Sequence, residues 1–273
     1  MRKSQVFCIS VPYIYMKIQR MIYFLREYLF PQNCGFCGGD LLNPEDAYYG
    51  LCGLCRDYLL KFIAGYNTCN ICGKRIISEE SICVSCNSDT DSSKKRYRNK
   101  LILRQKLCFP YNGKFINLLS AYKFQKHIAM ANFFAEILLA NIKDLVQSEN
   151  NEIALVPIPP KPGKIMNRGW DQIDLLSKAI DKKLKKSDSK IRVIRCLKKL
   201  RLSNWRNLNQ KDLNKEEREI YSKGRVICRG RAPETAVLFD DVITTGATLN
   251  SCANALLEKG VKNIYAICLF YGR

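Results

Sequence analysis

The sequence predicts an α/β domain with a mainly parallel sheet, preceded by a small double zinc ribbon. Three observations carry that prediction. Eight cysteines between Cys34 and Cys86 fall into four C-x-x-C pairs. Beyond them, apolar runs of strand length alternate with stretches of helical periodicity, the pattern of a parallel sheet with crossover helices. One such run, Ala236 to Phe239, leads into "DDVITTGAT", a turn of hydroxyls and small residues that opens a helix.

The chain of 273 residues is 47% apolar, enough for the cores of one or two domains and too apolar for wholesale disorder. A mean hydropathy of −0.20, with no apolar run of about 18 residues, argues against a spanning helix. Lys and Arg number 45 against 25 Asp and Glu, a net +20. Residues 1–92 hold nine basic and nine acidic side chains, so residues 93–273, with 36 and 16, carry the whole excess. An excess of this kind favours an anionic partner: nucleic acid, a phosphorylated ligand or an anionic membrane face.

The first thirty residues begin "MRKSQVFCISVPYIY", a weak likeness to a signal peptide that lacks a small-residue cleavage site. Met1, Met16 and Met21 are alternative starts. Ile18 to Phe30 repeats apolar residues at helical spacing and stops at Pro31, which predicts an amphipathic helix. Packing on the ribbon is its expected role; attachment at the inner face of a membrane is the alternative.

The four pairs, "CGFC", "CGLC", "CNIC" and "CVSC", have the spacing that lets two thiolates reach one tetrahedral Zn²⁺. Sequential pairing puts Cys34, Cys37, Cys52 and Cys55 on one ion, and Cys69, Cys72, Cys83 and Cys86 on a second; interleaved pairing would use the same residues. With every ligand a protein sulfur, both ions are expected to be structural, and their binding to supply folding energy. Thiolate ligands imply a reducing, cytoplasmic setting. Gly38 and Gly73 follow their pairs, where a missing Cβ helps the knuckle turn. Cys8, Cys108, Cys196, Cys228, Cys252 and Cys268 are expected to be packing residues. The expected organisation is an N-terminal extension and helix over 1–30, the ribbon over 31–90 and the α/β domain over 91–273, with the polar stretch 87–100 as linker.

Within the last unit, Phe115 to Leu139 reads as one or two helices and "IALVPIPP" as a buried strand closed by prolines. A helix is expected over about 171–184, and "RVIRCL" and "GRVICRG" as further strands. "TAVLFDDVITTGATLNSCANALLEKGVKNIYAICLF" reads as strand, loop, helix and strand, with Gly260 as a C-cap. Residues 181–231 carry 18 basic and six acidic side chains, a net +12, with Trp205 and Tyr221 among them. Those rings are placed either to stack on bases or to anchor the segment.

Asp240 and Asp241 stand at the carboxyl edge of their strand, where open α/β sheets bind ligands. Thr244, Thr245, Gly246, Ala247 and Thr248 then offer backbone N–H groups and hydroxyls at the positive end of a helix, a cradle for a monophosphate. Two carboxylates beside such a cradle suit ribose hydroxyls. There is no Walker A loop and no dinucleotide fingerprint.

This stretch resembles the phosphoribosyl-diphosphate motif of type I phosphoribosyltransferases, apolar residues followed by D-D-x-x-x-T-G-x-T. The chain from about residue 22 to 273 is similar to the ComF family. The similarity runs through the four C-x-x-C pairs after "LREYLFP", then "LLSAYKFQKH", "LVPIPPKPGKIMNRGWDQ" and "NWRNLNQKDLNKEER", and ends with the Asp-Asp motif and the closing strand. The resemblance implies a Rossmann-like phosphoribosyltransferase domain behind the ribbon. It assigns Asp240 and Asp241 to the ribose, and Thr244 to Thr248 to the 5′-phosphate. Pro160 and Lys161 fall at the loop that holds diphosphate, and Arg168, Gly169, Asp171 and Gln172 match an R-G-x-[ND]-Q element. Arg206, Gln210, Leu213 and Arg218 match R-x-x-x-Q-x-x-L-x-x-x-x-R, a segment able to close over diphosphate. Lys123 falls in a K-[YF] pair, and His127, the only histidine, has no assigned role.

Three functions follow as alternatives. The first is a cytoplasmic protein of DNA uptake that binds phosphoribosyl diphosphate and single-stranded DNA and works with a DNA-uptake helicase or recombination component. The second is a Mg²⁺-dependent phosphoribosyltransferase with a small-molecule acceptor, in which Asp240 and Asp241 are catalytic. The third is a non-catalytic zinc-ribbon adaptor.

Overall fold

The computed structural model describes residues 32–76, 81–87, 101–149, 151–160, 170–187, 189–199, 226–230 and 233–272. The expected N-terminal helix, most of the linker, Lys161, Arg168, Gly169, and the segment holding Trp205, Arg206, Gln210, Leu213, Arg218 and Tyr221 lie outside the described residues.

The ribbon builds the same knuckle twice. In the first, Cys34 N donates to Gly39 O at 2.7 Å and Gly38 N to Cys34 O at 2.9 Å; in the second, Cys69 N donates to Lys74 O at 2.8 Å and Gly73 N to Cys69 O at 2.9 Å. Bridges Asn33↔Asp40 and Thr68↔Arg75 close the two turns. Gly38 (φ 79°) and Gly73 (φ 64°) take the left-handed conformation that a Cβ disfavours. Between the knuckles lie α1 (Pro44–Tyr49) and α2 (Gly53–Ala64). Asn43 caps α1 by accepting from Asp46 N, Pro44 presets its first turn, and Gly50 ends it in the left-handed region. A four-residue helix, α3 (Val84–Asn87), carries the last cysteine.

The α/β domain is a five-stranded parallel sheet in the order β1-β7-β6-β2-β3. Its strands are β1 (Arg104–Pro110), β2 (Ile153–Pro157), β3 (Ile191–Val193), β6 (Thr235–Ile243) and β7 (Asn263–Tyr271). A separate antiparallel pair, β4 (Leu197–Lys199) and β5 (Val226–Cys228), flanks residues 200–225. The helices are α4 (Lys114–Phe124), α5 (Met130–Leu145), α6 (Gln172–Leu184) and α7 (Ala247–Leu257). Strand alternation sorts the core into two layers. Val237 and Phe239 of β6 pack with Phe134 and Leu138 of α5 and Leu176 of α6 on one face. Ala236 and Leu238 pack with Cys252, Ala253 and Leu256 of α7 on the other. The predicted fold class, a Rossmann-like parallel sheet behind a double zinc ribbon, is the one observed.

The ribbon shares these cores. Cys34, Leu51 and Leu59 join the α4–α5 layer, while Cys69, Cys72 and Cys86 pack with Ile102 and Leu107 at the β1 edge. The second knuckle closes against the backbone of β1: a Cβ on Gly73 would stand 2.4 Å from Gln105 O and 3.1 Å from Leu107 N. Gly73→Ala therefore meets both a left-handed φ and a wall of backbone. The expected loss is about 2–4 kcal/mol, read as a lowered melting temperature. Gly38→Ala, with the same sign of φ and open space around it, should lose only the conformational part.

Most sequence-predicted elements are present, with adjusted limits. Phe115 to Leu139 resolves into α4 and α5, which extends to Leu145. "RVIRCL" splits between β3 and β4, which belong to different sheets. β1 had no assignment from sequence, because "RQKLCFP" mixes polar residues into a buried strand; Gln105 is only 4% exposed. Cys108, Cys196, Cys228, Cys252 and Cys268 are buried packing residues, as expected.

Candidate functional site: two thiolate centres and a phosphate loop

The structure gathers Cys34, Cys37, Cys52 and Cys55 into one cluster and Cys69, Cys72, Cys83 and Cys86 into another, all ligand atoms of each within 4.8 Å of one another. Sequential pairing is thus the arrangement adopted. A tetrahedral ion with Zn–S bonds of about 2.3 Å sets its sulfurs about 3.8 Å apart. Cys37 Sγ lies 3.9 Å from Cys52 Sγ, and Cys72 Sγ 3.7 Å from Cys83 Sγ. The donor sets therefore fit two structural Zn²⁺ ions. Each cluster also has one thiol prepared for ionisation. Burial pushes the Cys69 thiol up, but backbone N–H groups of Cys72, Cys83 and Ile71 outweigh it and bring the thiol to about 7. Cys34 is likewise lowered, against its burial, by the amides of Cys37, Cys52 and Phe36.

The second site lies at the carboxyl edge of β6. A pocket there is lined by Asp240, Ile158, Cys268 and the whole turn Thr244–Thr248. Gly246 stands at the N-cap of α7 with φ 76° and has no side chain to cap it, while Thr245 Oγ1 accepts from Ala247 N at 3.4 Å. The positive end of the helix thus lies at the pocket, the setting in which helix N-termini bind anions.

The two aspartates have different surroundings. Asp240 belongs to the α7 face, lines the pocket and accepts from Asp241 N at 2.8 Å. Burial, and then the neighbouring Asp241 charge, push its carboxyl well above the usual carboxylate range. Asp241 is not in the pocket lining; its Oδ2 lies 2.7 Å from Lys123 Nζ, in a pair whose side chains are 12% and 15% exposed.

Lys123 is held there by a latch between the end of α4 and the start of α6. Tyr122 OH donates to Gln172 O at 2.7 Å, and Gln172 Nε2 donates to Lys123 O at 3.2 Å. Asp171 caps α6 by accepting from Ile173 N at 2.9 Å, and burial raises its carboxyl. Gln172 is thus buried between helices and braces the site from behind. Pro160 is exposed beyond β2. His127 is half-buried beside the first knuckle, where a Cβ on Gly35 would come within 3.3 Å of its ring. Sequence reasoning left Lys123 and Tyr122 without a role. The one signal was the K-[YF] pair in which Lys123 falls, and the partner Asp241 is 118 residues away.

A ribbon with two four-cysteine centres, joined to a parallel sheet that ends in an acidic pair and a turn of hydroxyls and backbone amides, defines a zinc-ribbon protein with a Rossmann-like domain. The double zinc ribbon domain family model matches residues 25–91. The chain is similar to competence protein ComFC of Bacillus subtilis (strain 168), 29% identical over 89% of this chain and 91% of that one. Competence protein F of Haemophilus influenzae is 26% identical over 86% and 95%. A ribose-phosphate pyrophosphokinase of Oceanobacillus iheyensis is 51% identical over 35 residues, 13% of this chain and 11% of that enzyme. A solved hypoxanthine phosphoribosyltransferase of Staphylococcus aureus overlays 52% of this chain and 62% of its own, with a TM-score of 0.30 and 14% identity. Over most of its length the chain is thus similar to competence proteins, with a double zinc ribbon at the front.

Proposed function

We propose that this protein serves DNA uptake in the cytoplasm, binding phosphoribosyl diphosphate at the β6 edge and single-stranded DNA through its basic segment. The observation that carries the ligand is the pocket uniting Asp240 with the turn Thr244–Thr248 at the start of α7. A 5′-phosphate suits the turn, and ribose hydroxyls suit the carboxyl groups above it. The short identity with a ribose-phosphate pyrophosphokinase supports a phosphorylated ribose as the class of ligand. The near full-length likeness to two competence proteins supports the process.

The residues have distinct tasks in this reading. The Thr244–Thr248 amides bind phosphate, Asp240 and Asp241 orient the sugar, and Gln172 fixes the helix end behind them. Lys161 and Arg168 supply cations for the diphosphate, with Mg²⁺ carried in on the ligand offsetting the remaining charge. The net +12 of residues 181–231 exceeds what one diphosphate needs, which supports a polyanion as second partner. Among the described residues no helix is long and apolar enough to cross a membrane.

The test is calorimetric titration with phosphoribosyl diphosphate and with short single-stranded DNA, separately and together. Saturable binding of each, with DNA affinity falling steeply as salt rises, is the expected result. No binding of phosphoribosyl diphosphate overturns the assignment of the pocket. DNA affinity absent at about 50 mM salt overturns the second partner. Release of diphosphate that requires Mg²⁺ would extend the reading from binding to transfer.

A further inference from the structure

The geometry points to Lys123 as the resident counter-cation of the acidic pair: it occupies Asp241 in the ligand-free protein and must leave when the metal-bound phosphorylated ribose enters. This rests on the phosphoribosyl reading of the pocket. Asp241 is fixed in strand β6, whereas Lys123 approaches it from the last turn of α4. The carboxylate is thus rigid and the ammonium sits on a flexible four-carbon stem. The backbone at that turn is clamped independently, by Tyr122 OH on Gln172 O and Gln172 Nε2 on Lys123 O. Release of the side chain therefore leaves the latch closed.

Charge explains why such a residue is present. Two carboxylates in adjacent positions at a mostly buried edge cannot both stay ionised without a cation. Asp240 is half-buried on the α7 side with its carboxyl pushed up, and Asp241 is 15% exposed on the other, so one ammonium at 2.7 Å leaves the edge close to neutral. A ligand that offers hydroxyls alone has to compete with that ammonium. One that brings its own divalent cation replaces it charge for charge, which makes Lys123 a filter for metal-bound ligands.

The experiment uses Mn²⁺ alone as probe, followed by electron paramagnetic resonance on the full chain, with Lys123→Met, Lys123→Gln and the double variant K123M/D241N. Removal of the ammonium should tighten Mn²⁺ binding about tenfold or more, as expected when an uncompensated, mostly buried carboxylate is exposed to a cation. The gain should vanish in K123M/D241N. Unchanged or weaker Mn²⁺ binding in the single variants, or a gain that survives loss of Asp241, overturns the proposal. Lys123→Gln, one atom shorter, removes the charge but keeps a polar amide that can donate towards Asp241, and serves if the methionine variant does not fold. Because no sugar is present, failure of phosphoribosyl diphosphate to bind would defeat the pocket assignment and leave this measurement intact.

Discussion

Removal of zinc should unfold the ribbon and pull the α/β domain down with it. Metal analysis is expected to return two Zn²⁺ per chain, and Cys34→Ser or Cys83→Ser to return one. Structural zinc in finger-type peptides binds with about 10–16 kcal/mol of apparent free energy, which is folding free energy where no preformed site exists. The ribbon has little else of its own. Its helices are short, and Cys34, Leu51 and Leu59 find their apolar partners in α4 and α5 instead of within the ribbon. Cross-links such as Tyr49 OH to Glu136 Oε1 at 2.6 Å and Asn132 Nδ2 to Tyr48 O at 2.8 Å also join ribbon to α5. Loss of the first ion therefore strips a layer from the main core. The melting temperature of Cys34→Ser should fall by at least about 10 °C, since each kcal/mol is worth about 2–4 °C in a domain of this size. A chain freed of both ions that melts at the wild-type temperature would sink the structural assignment.

Asp240→Asn should separate stability from binding. The carboxyl is held well above the ordinary range, first by burial and then by Asp241. The folded protein therefore keeps this proton at pH values where the unfolded chain has released it. Stability is unaffected while both states are protonated, and falls as pH rises from about 4 towards the folded value, by at most about 1.4 kcal/mol per unit. An asparagine has no such titration. The variant should match wild type near pH 4 and melt above it at pH 8, while affinity for phosphoribosyl diphosphate drops at least about tenfold, because an amide offers the ribose hydroxyls one acceptor oxygen where the carboxyl offers two. A lower melting temperature than wild type at pH 8 would contradict the raised carboxyl.

Both centres were readable from local pattern, for a physical reason. C-x-x-C knuckles and the strand-to-helix turn Asp240–Thr248 use residues within a few positions of one another, so their chemistry is written contiguously. The pairing of the cysteine pairs was not, because sequential and interleaved arrangements use the same ligands; the fold decides by where α2 and α3 bring the second pair of each set. β1 escaped notice since it opens with Arg104, Gln105 and Lys106, and Gln105 is buried where the second knuckle closes against the strand. The charge reading of the ribbon also changes meaning. A neutral ribbon reads as a metal-built adaptor more than a charge-driven binder, and its apolar residues are continuous with the sheet's two core layers.

What the sequence by itself determined is the list of parts: two sets of thiolates, a parallel sheet with its helices, a phosphate turn and an acidic pair at one edge. Each rests on spacing along the chain, and periodicity is sufficient to read it. What only the tertiary structure decided is how the parts are divided. Strand alternation assigns neighbouring Asp240 and Asp241 to opposite faces, one lining the pocket and the other paired with Lys123. That distinction comes from a helix more than a hundred residues earlier being latched by Tyr122 and Gln172 against the same edge, and contacts of that range leave no period in a sequence.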